Sequence, residues 1–323
     1  MTRRGKISRC RAPVRCYVSA MQKILVLGVT ALIWNGCIEF EKQTMTFRHF
    51  AKSDTLVIWQ QYEGIYGDRD RDGLNQEELD QLRAVRTTQR TFFFNNWIAE
   101  YDEKQFTETI ERLQQELKKP KPEGDPALIR DSIALMQFIQ KNITIKNGPF
   151  YLNAQGKLSA TQEVTVRNIG KIIKMSNAVI RQTLTEEMAR DGLDRENEKY
   201  RHLIEQSIEK RLEYITLKNG RLSFRWPHTA AQFKAIPQEV EMAKVIAQFQ
   251  KAGGILQHAN DEVRVSLGKP KAVETALGIV LPDNKYCNNA VKQVDALYGI
   301  NRKYDPVAAR KAFFAKAAKQ FAK

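Results

Sequence analysis

Four acidic residues in the first third of the chain have a spacing that suits calcium. Asp68, Asp70 and Asp72 alternate along the chain and are followed by Gly73. Alternate carboxylates can surround one hard cation, and the glycine permits the sharp bend of such a loop. Glu77 can supply the further carboxylate that a shorter, nonstandard loop needs. We therefore predict a calcium site at these four acidic residues, with calcium as the one candidate cofactor.

The same segment has a second interpretation that needs no metal. A helix-loop-helix calcium site requires a bidentate Glu at loop position twelve, which Leu79 occupies here. Asn75 and Glu78 have the spacing of a capping box at a helix N-terminus. Leu74 and Leu79 then form its hydrophobic staple. The sequence leaves both interpretations open, and calorimetric titration with millimolar calcium separates them because only a calcium site gives a heat of binding.

Motifs for catalysis are weak throughout the chain. Two pairs of residues fit a serine-x-x-lysine spacing, namely Ser207 with Lys210 and Ser266 with Lys269. The Lys-Thr-Gly or Lys-Ser-Gly motif that accompanies this spacing in penicillin-binding proteins does not occur. His49, His228 and His258 have no acidic or cysteine partner close in sequence. We therefore predict no catalytic residues and favour a protein that is not an enzyme, with an exported hydrolase of dispersed site residues as the alternative.

Hairpins and amphipathic helices alternate along the chain. Residues 44–50 and 55–62, rich in β-branched and aromatic side chains, flank a turn at 52–54 and predict a β-hairpin. Asp102 and Asp125 are predicted helix N-caps. Further helices are predicted at 169–190, 196–213, 237–252 and from 305, with a strand near 262–267. The predicted fold is α+β, with antiparallel hairpins or a meander packed against several amphipathic helices.

One internal similarity and one proline-rich segment bear on domain organisation. Residues 143–148 recur as 215–220, each copy ending in Asn-Gly, which strongly favours a tight hairpin turn. The pattern predicts two helix-plus-hairpin units, with convergence on a favoured turn as the alternative. Residues 118–126 contain three prolines and a glycine. They are the candidate boundary between an N-terminal hairpin-and-helix part, 37–119, and a second part, 120–323, although both parts alternatively form one domain.

The segment that precedes these elements indicates where the protein resides. Lys23 is followed by an apolar run at 24–34, which is shorter than the roughly 20 residues of a membrane-spanning helix and suits the core of a secretory signal. Gly36 and Cys37 follow, and residues 21–37 resemble the signal and lipobox of bacterial lipoproteins. The resemblance implies a signal peptide at 21–36 and lipidation of Cys37. The alternative is an uncleaved anchor, and residues 1–20 are either an extended n-region or lie before a start at Met21.

The lipobox resemblance implies a location and a membrane partner. The mature protein is expected in the cell envelope, facing the periplasm or exterior and held to a membrane through Cys37. Ile38 after the cysteine resembles the outer-membrane pattern of cells with two membranes. About six residues separate Cys37 from the first predicted strand. Residues 46–67 resemble predicted lipoproteins of planctomycete-type bacteria, a resemblance that implies no activity.

Charge and cysteine content limit the partners. Residues 1–36 carry seven basic and no acidic residues, so their removal lowers the net charge from +15 to +8. We therefore expect no nucleic-acid partner. With Cys10 and Cys16 in that segment and Cys37 lipidated, Cys287 is left without a disulfide partner.

The C-terminal segment is the most basic part of the mature chain. Residues 301–323 carry seven basic residues and one acid. As a helix, the segment gathers apolar side chains on one side and lysines on the other: Val307, Phe313, Phe314, Ala317 and Phe321 against Lys316, Lys319 and Lys323. Asp305 to Lys323 is therefore predicted to meet an anionic membrane surface or an acidic partner. The alternative is a terminal helix whose phenylalanines dock on the core.

Together these patterns predict a lipid-anchored extracytoplasmic protein that binds a ligand or serves envelope structure without catalysis. An exported hydrolase and a calcium-stabilised interaction module are the two alternatives.

Overall fold

A computed structural model describes residues 38–67, 73–88, 101–189, 198–227, 250–251, 253–258, 262–268, 274–280 and 289–322. Within these residues the chain forms seven helices and two antiparallel sheets. This confirms the predicted α+β class. The strands are β1 Glu39–Phe50, β2 Thr55–Tyr66, β3 Ile143–Asn147, β4 Tyr151–Leu152, β5 Leu158–Arg167, β6 Ile215–Lys218, β7 Arg221–Trp226, β8 Ile255–His258, β9 Val263–Leu267 and β10 Thr275–Val280. The helices are α1 Gln76–Thr88, α2 Glu103–Leu117, α3 Pro126–Asn142, α4 Ile169–Ala189, α5 Glu198–Glu209, α6 Asn289–Tyr298 and α7 Pro306–Phe321. Among these helices, none is both long and apolar enough to cross a bilayer.

A six-stranded sheet forms the centre of the molecule. Its order is β10-β1-β2-β5-β3, and β4 also pairs with β5. The predicted β1–β2 hairpin is confirmed, but its strands run from Glu39 to Tyr66 in continuous register. The hairpin is longer than predicted because Ile38 and Ile65, at its open end, are buried. The expected six-residue tether after Cys37 is therefore wrong, since the strand begins two residues after that cysteine.

One face of this sheet, the core face, packs against α2, α3 and α4. The largest apolar cluster joins β-strand side chains such as Phe47 and Ile58 to Leu135 of α3 and Val179 of α4. A second cluster joins Tyr62 to α1 and α6 through Leu82 and Val294. Burial of these apolar surfaces is the main force that holds the sheet and helices together.

Three fully buried glutamines cross the core face beside these apolar clusters. Gln60 of β2 lies opposite Gln162 of β5, and Gln43 of β1 donates to Gln60 Oε1 at 3.2 Å. Gln162 donates to Asn147 Oδ1 at 2.6 Å. Buried amides that bond to one another hold strand register, because a slip would leave them without partners.

The opposite face of the sheet is called the α7 face because that helix covers part of it. Phe314 and Ala317 of α7 are buried against Phe50, Val57 and Trp59. The helix therefore docks its phenylalanines on the sheet, as the alternative interpretation predicted. Val307, expected on the apolar side, is instead 49% exposed because it lies in the first turn of the helix.

Local capping signals are confirmed at several helix starts. The carboxylate of Asp102 accepts from the backbone N–H groups of Lys104 and Gln105, and that of Asp125 accepts from Ala127. The predicted helix at 196–213 ends earlier, at Glu209, because Arg211 adopts a positive φ of 49° and turns the chain back. The predicted helix at 237–252 lies outside the described residues except for its last turn.

The two Asn-Gly copies have different structures. Asn219 and Gly220, with φ of 53° and 74°, form the tight turn of the β6–β7 hairpin, as predicted. The hairpin predicted at 147–148 is wrong, because β3 pairs with β5 rather than with the strand that follows it. Gly148 is needed there for close approach, since a Cβ atom would overlap the side chain of Thr161.

The four-stranded sheet, of order β6-β7-β9-β8, is attached to α4 by one buried amide. Asn177 of α4 donates to the Ile215 carbonyl at 2.8 Å and accepts from the Ile215 N–H at 2.9 Å. Leu222 and Phe224 of β7 add apolar contacts to the main core. The side chain of Asn177 thus makes the two backbone hydrogen bonds with Ile215 that a neighbouring strand would otherwise make.

Candidate functional site

Most of the site residues predicted from sequence fall outside the described residues. Asp68, Asp70, Asp72 and Cys37 are among them, so the calcium site and the lipidation site stay predictions. Glu77 is exposed in the first turn of α1. Within the described ranges, no group of three His, Cys, Asp or Glu side chains is arranged to hold a metal ion.

The capping box beside the predicted calcium loop is present. Asn75 Oδ1 accepts from the Glu78 N–H at 2.8 Å, and Glu78 Oε2 accepts from the Asn75 N–H at 2.7 Å. These two bonds satisfy donors at the N-terminus of α1. They explain Asn75 and Glu78 without reference to a metal.

The two serines of the serine-x-x-lysine pairs are buried. Ser207 Oγ donates to the Ile204 carbonyl at 2.7 Å and bonds the Tyr214 hydroxyl at 2.9 Å. Ser266 Oγ bonds Ser223 Oγ at 2.9 Å across β7 and β9. Each hydroxyl therefore takes part in packing inside the fold.

A small groove of about 190 Å³ lies where the β1–β2 turn meets α4 and β6. His49 and Asp54 both line it. Burial lowers the pKa of His49, and the Asp54 carboxylate opposes this effect, so the imidazole is neutral at physiological pH. Asp54 Oδ1 accepts from the Gly170 N–H at 2.8 Å at the start of α4. Asp54 thus serves as a helix cap, and the sequence search missed its proximity to His49 because it sought partners in recognised motifs.

A larger groove, of about 410 Å³, lies on the α7 face beside the N-terminus of α7. We call it the tyrosine groove. The side chains that define it come from β2, the β4–β5 hairpin and the segment before α7: Gln61, Glu63, Tyr151, Asn153, Tyr304 and Asp305.

The floor of the tyrosine groove is a row of side chains that crosses four strands. Glu63 lies opposite Lys42 on one side and Ser159 on the other, and Ser159 lies opposite Tyr151. Directly opposed residues project from the same face of an antiparallel sheet. Lys42 Nζ lies 3.0 Å from Glu63 Oε2, and Gln61 Nε2 donates to Glu63 Oε1 at 2.6 Å. Sheet register therefore places Tyr151 and the Glu63 carboxylate in one groove.

Tyr151 has an unusual environment for a polar side chain. Its exposed fraction is 1%, and its hydroxyl bonds to no described residue. Burial, together with the nearby Glu63 carboxylate, raises the pKa of Tyr151 far above its ordinary value. The polar side chains of Gln61 and Ser159 lie close to the Tyr151 hydroxyl and partly oppose this rise in its pKa, but neither meets the geometry of a hydrogen bond with it. The hydroxyl is therefore protonated and has an unused hydrogen-bonding capacity.

Tyr304 completes the aromatic part of the groove. Its ring centroid lies 5.2 Å from that of Tyr151, and its hydroxyl bonds Thr161 Oγ1 at 2.9 Å. Burial also raises the pKa of Tyr304. The ring is half-buried, so it presents apolar surface to the groove.

Two local motifs hold the rims of the groove. On one side, Asn153 Oδ1 accepts from the N–H groups of Gln155 and Lys157 at 3.0 Å and 2.9 Å. On the other, Asp305 Oδ1 accepts from Val307 and Ala308 at 2.8 Å and 3.1 Å and caps α7. Both rims are therefore held by side-chain bonds to the backbone, which favours a preformed site.

Two carboxylates share the tyrosine groove. The exported-hydrolase alternative requires carboxylates that converge on a substrate, one of them as a proton donor. Glu63 and Asp305 do share the groove, but each accepts hydrogen bonds from the protein itself. Both carboxylates thus already act as acceptors that support the fold around the groove.

Of the residues that define the tyrosine groove, the sequence search named only Asp305. The other residues come from segments about 90 and 150 positions apart. The pairing of β2, β4 and β5 brings Glu63 and Tyr151 together, and the bond from Tyr304 to Thr161 adds the segment before α7. No spacing rule within one segment reveals such a site.

No family model, curated protein or solved structure matches this chain.

Proposed function

We propose that this protein is a lipid-anchored, non-catalytic binding protein of the cell envelope that holds its ligand in the tyrosine groove. The observation that carries the proposal is the buried Tyr151 hydroxyl, which lines a groove of about 410 Å³ and has no partner among the described residues. Buried polar groups are normally paired, so a ligand that bonds this hydroxyl gains an interaction the protein alone does not make.

The position of the groove relative to Cys37 supports a role close to a membrane. Lys42, which pairs with Glu63, is five residues beyond Cys37. At about 3.3 Å per strand residue, Lys42 lies within about 16 Å of chain from the proposed lipid, and its ion pair connects it to Glu63 of the groove. A ligand held there is close to the membrane surface, where a lipid-anchored receptor meets envelope polymers.

The exposed side of α7 supports contact with an anionic membrane. Lys311, Lys316 and Lys319 are exposed, whereas the apolar side of the helix is buried on the sheet. Such a surface attracts acidic lipids by charge without inserting apolar side chains. The proposal therefore treats α7 as an electrostatic contact that supplements the lipid.

The anchor is tested by the chemistry of the mature N-terminus. In an exporting bacterial host, mass spectrometry of the wild-type chain is expected to show a lipid-modified Cys37 as the first residue, and the chain to sediment with membranes. The Cys37→Ser variant is expected to lose the lipid and leave the membrane fraction, because the remaining contact is electrostatic. A mature N-terminus at any other residue contradicts the proposed anchor.

The role of α7 is tested on non-lipidated protein with vesicles of acidic phospholipid. Changing Lys311, Lys316 and Lys319 to Gln is expected to weaken vesicle binding by roughly a hundredfold, at about 1 kcal/mol for each basic residue near the surface. Flotation measures the bound fraction. Deletion of the helix is unsuitable because it exposes Trp59.

The matched control makes the same charge change on other surfaces of the protein. Lys104, Lys174 and Lys218 are exposed on α2, α4 and β6. Their change to Gln is expected to leave flotation near that of the parent protein, whereas equal losses from both triple variants reject a specific role for α7.

A further inference from the structure

We infer that the tyrosine groove recognises a protonated primary amine. This inference rests on the proposed binding role and adds to it the chemical class of the ligand. The groove brings two carboxylates, two tyrosines and three amides into one space of about 410 Å³. The charge of the groove and its free acceptors both favour a ligand that is positively charged and donates hydrogen bonds.

The first argument is a free acceptor beside amides that already donate to the protein. Gln61 Nε2 donates to Glu63 Oε1, and Asn153 Nδ2 donates to Gln155 Oε1. By contrast, Asp305 uses only Oδ1 in capping α7, and its Oδ2 accepts from no described residue. An N–H donor of a ligand therefore has a free acceptor at Asp305 Oδ2.

The second argument is charge. Glu63 and Asp305 supply two negative charges, and the ion pair at 3.0 Å from Lys42 offsets the charge of Glu63. The carboxylate of Asp305 has no such cation among its described contacts and meets only backbone N–H groups. The negative charge that Asp305 leaves uncompensated attracts a cation and repels phosphate or carboxylate ligands.

The third argument concerns the tyrosines. An ammonium group can donate to the unpartnered oxygen of Tyr151, which stays protonated because burial raises its pKa. The half-buried ring of Tyr304, whose centroid lies 5.2 Å from that of the Tyr151 ring, adds an aromatic surface near the same positive charge. A neutral polyol can bond the Tyr151 hydroxyl, but it has no positive charge to interact with the carboxylates or with the Tyr304 ring. The amine is therefore the better match.

Two sources can present this chemistry near a membrane, an amino sugar and the lysine side chain of a peptide. Isothermal titration calorimetry of the full chain in detergent compares each with its acetylated counterpart, in which an acetyl group converts the ammonium into a neutral amide. The first pair of probes is glucosamine and N-acetylglucosamine. The second is the peptide Gly-Lys-Gly with and without acetylation of its lysine.

The expected result is that at least one of the two amines binds at least about tenfold more tightly than its acetylated counterpart, and more weakly at high salt. Preference for glucosamine identifies an amino sugar, and preference for the peptide identifies a lysine. Equal or tighter binding of both acetylated probes overturns the amine inference and leaves the binding function standing. The absence of binding by all four probes also overturns the amine inference. The proposed lipid anchor is tested separately, by the mass of the mature N-terminus.

Three variants locate the site. Tyr151→Phe removes the hydroxyl, Glu63→Gln removes one charge, and Asp305→Asn removes the other while Asn still caps α7. Each is expected to weaken amine binding about tenfold, the usual effect of losing one hydrogen bond to a charged group. The matched control, Asp102→Asn, makes the same change at the N-cap of α2 and is expected to leave binding unchanged.

These variants also distinguish local from global effects. Circular dichroism and the unfolding midpoint of each variant are measured beside the titration. If Tyr151→Phe fails to fold, Asp305→Asn still tests the groove because the cap is retained. Unchanged amine affinity in folded Asp305→Asn and Glu63→Gln proteins rejects the tyrosine groove as the site.

Discussion

Replacement of Phe314 by alanine is expected to lower the free energy of unfolding by about 3–5 kcal/mol, the usual loss for a buried Phe. Phe314 is 3% exposed and belongs to the cluster with Phe50, Val57 and Trp59. Because α7 is held to the sheet mainly by this cluster, the lost contacts also loosen the whole helix. Urea unfolding followed by circular dichroism measures the change, and tryptophan emission reports exposure of Trp59.

The matched control for this prediction lies on the same helix. Val307 is 49% exposed, so Val307→Ala is expected to change stability by no more than about 0.5 kcal/mol. A loss below about 1 kcal/mol in Phe314→Ala contradicts the packing argument. Asp305 lies at the start of α7, so loosening of the helix should also reduce amine binding in the tyrosine groove.

Replacement of Asn177 by leucine is expected to cost about 2–4 kcal/mol. The change keeps a similar volume but leaves the N–H and carbonyl of Ile215 without the amide that bonds both. Each buried group left without a partner costs about 1–3 kcal/mol. The loss is expected to be local, so hydrogen exchange of the β6–β7 hairpin should accelerate more than exchange in β1 and β2.

A suitable control is a second amide on α4. Gln182 Nε2 bonds the exposed carboxylate of Asp131 at 2.9 Å. Gln182→Ala is expected to remain within about 0.5 kcal/mol of the parent protein. If Asn177→Leu instead accelerates exchange equally in all strands, Asn177 supports the fold as a whole rather than the attachment of one sheet.

The features predicted from sequence are those that depend on neighbouring residues. Asp102, Asp125 and Asp305 cap helices because each carboxylate lies within two or three residues of the N–H groups that it accepts from. The β1–β2 hairpin likewise needs only a turn and two alternating runs. The hairpin is longer than predicted, since its strands pair as far as Glu39 and Tyr66. The added residues show no clear alternation of apolar and polar side chains.

The features that were missed depend on pairing between distant segments. β10 pairs with β1 although Val280 and Lys42 are far apart in the chain. The buried glutamines were also unpredictable, because polar residues are expected on the surface unless partners for them are known. The candidate site belongs to this group, since Tyr151 and Glu63 become neighbours only through Ser159 of β5.

The early start of β1 determines how the domain bears a pulling force. β1 is an interior strand, paired with β2 along 11 register pairs and with β10 along six. A pull on the residue that precedes β1, directed along the strand, loads both ladders in shear, so many backbone hydrogen bonds share the load at once. A domain held in this way resists extension from its N-terminal end far better than one attached through a loop or an edge strand, a mechanical advantage under the proposed lipid anchor.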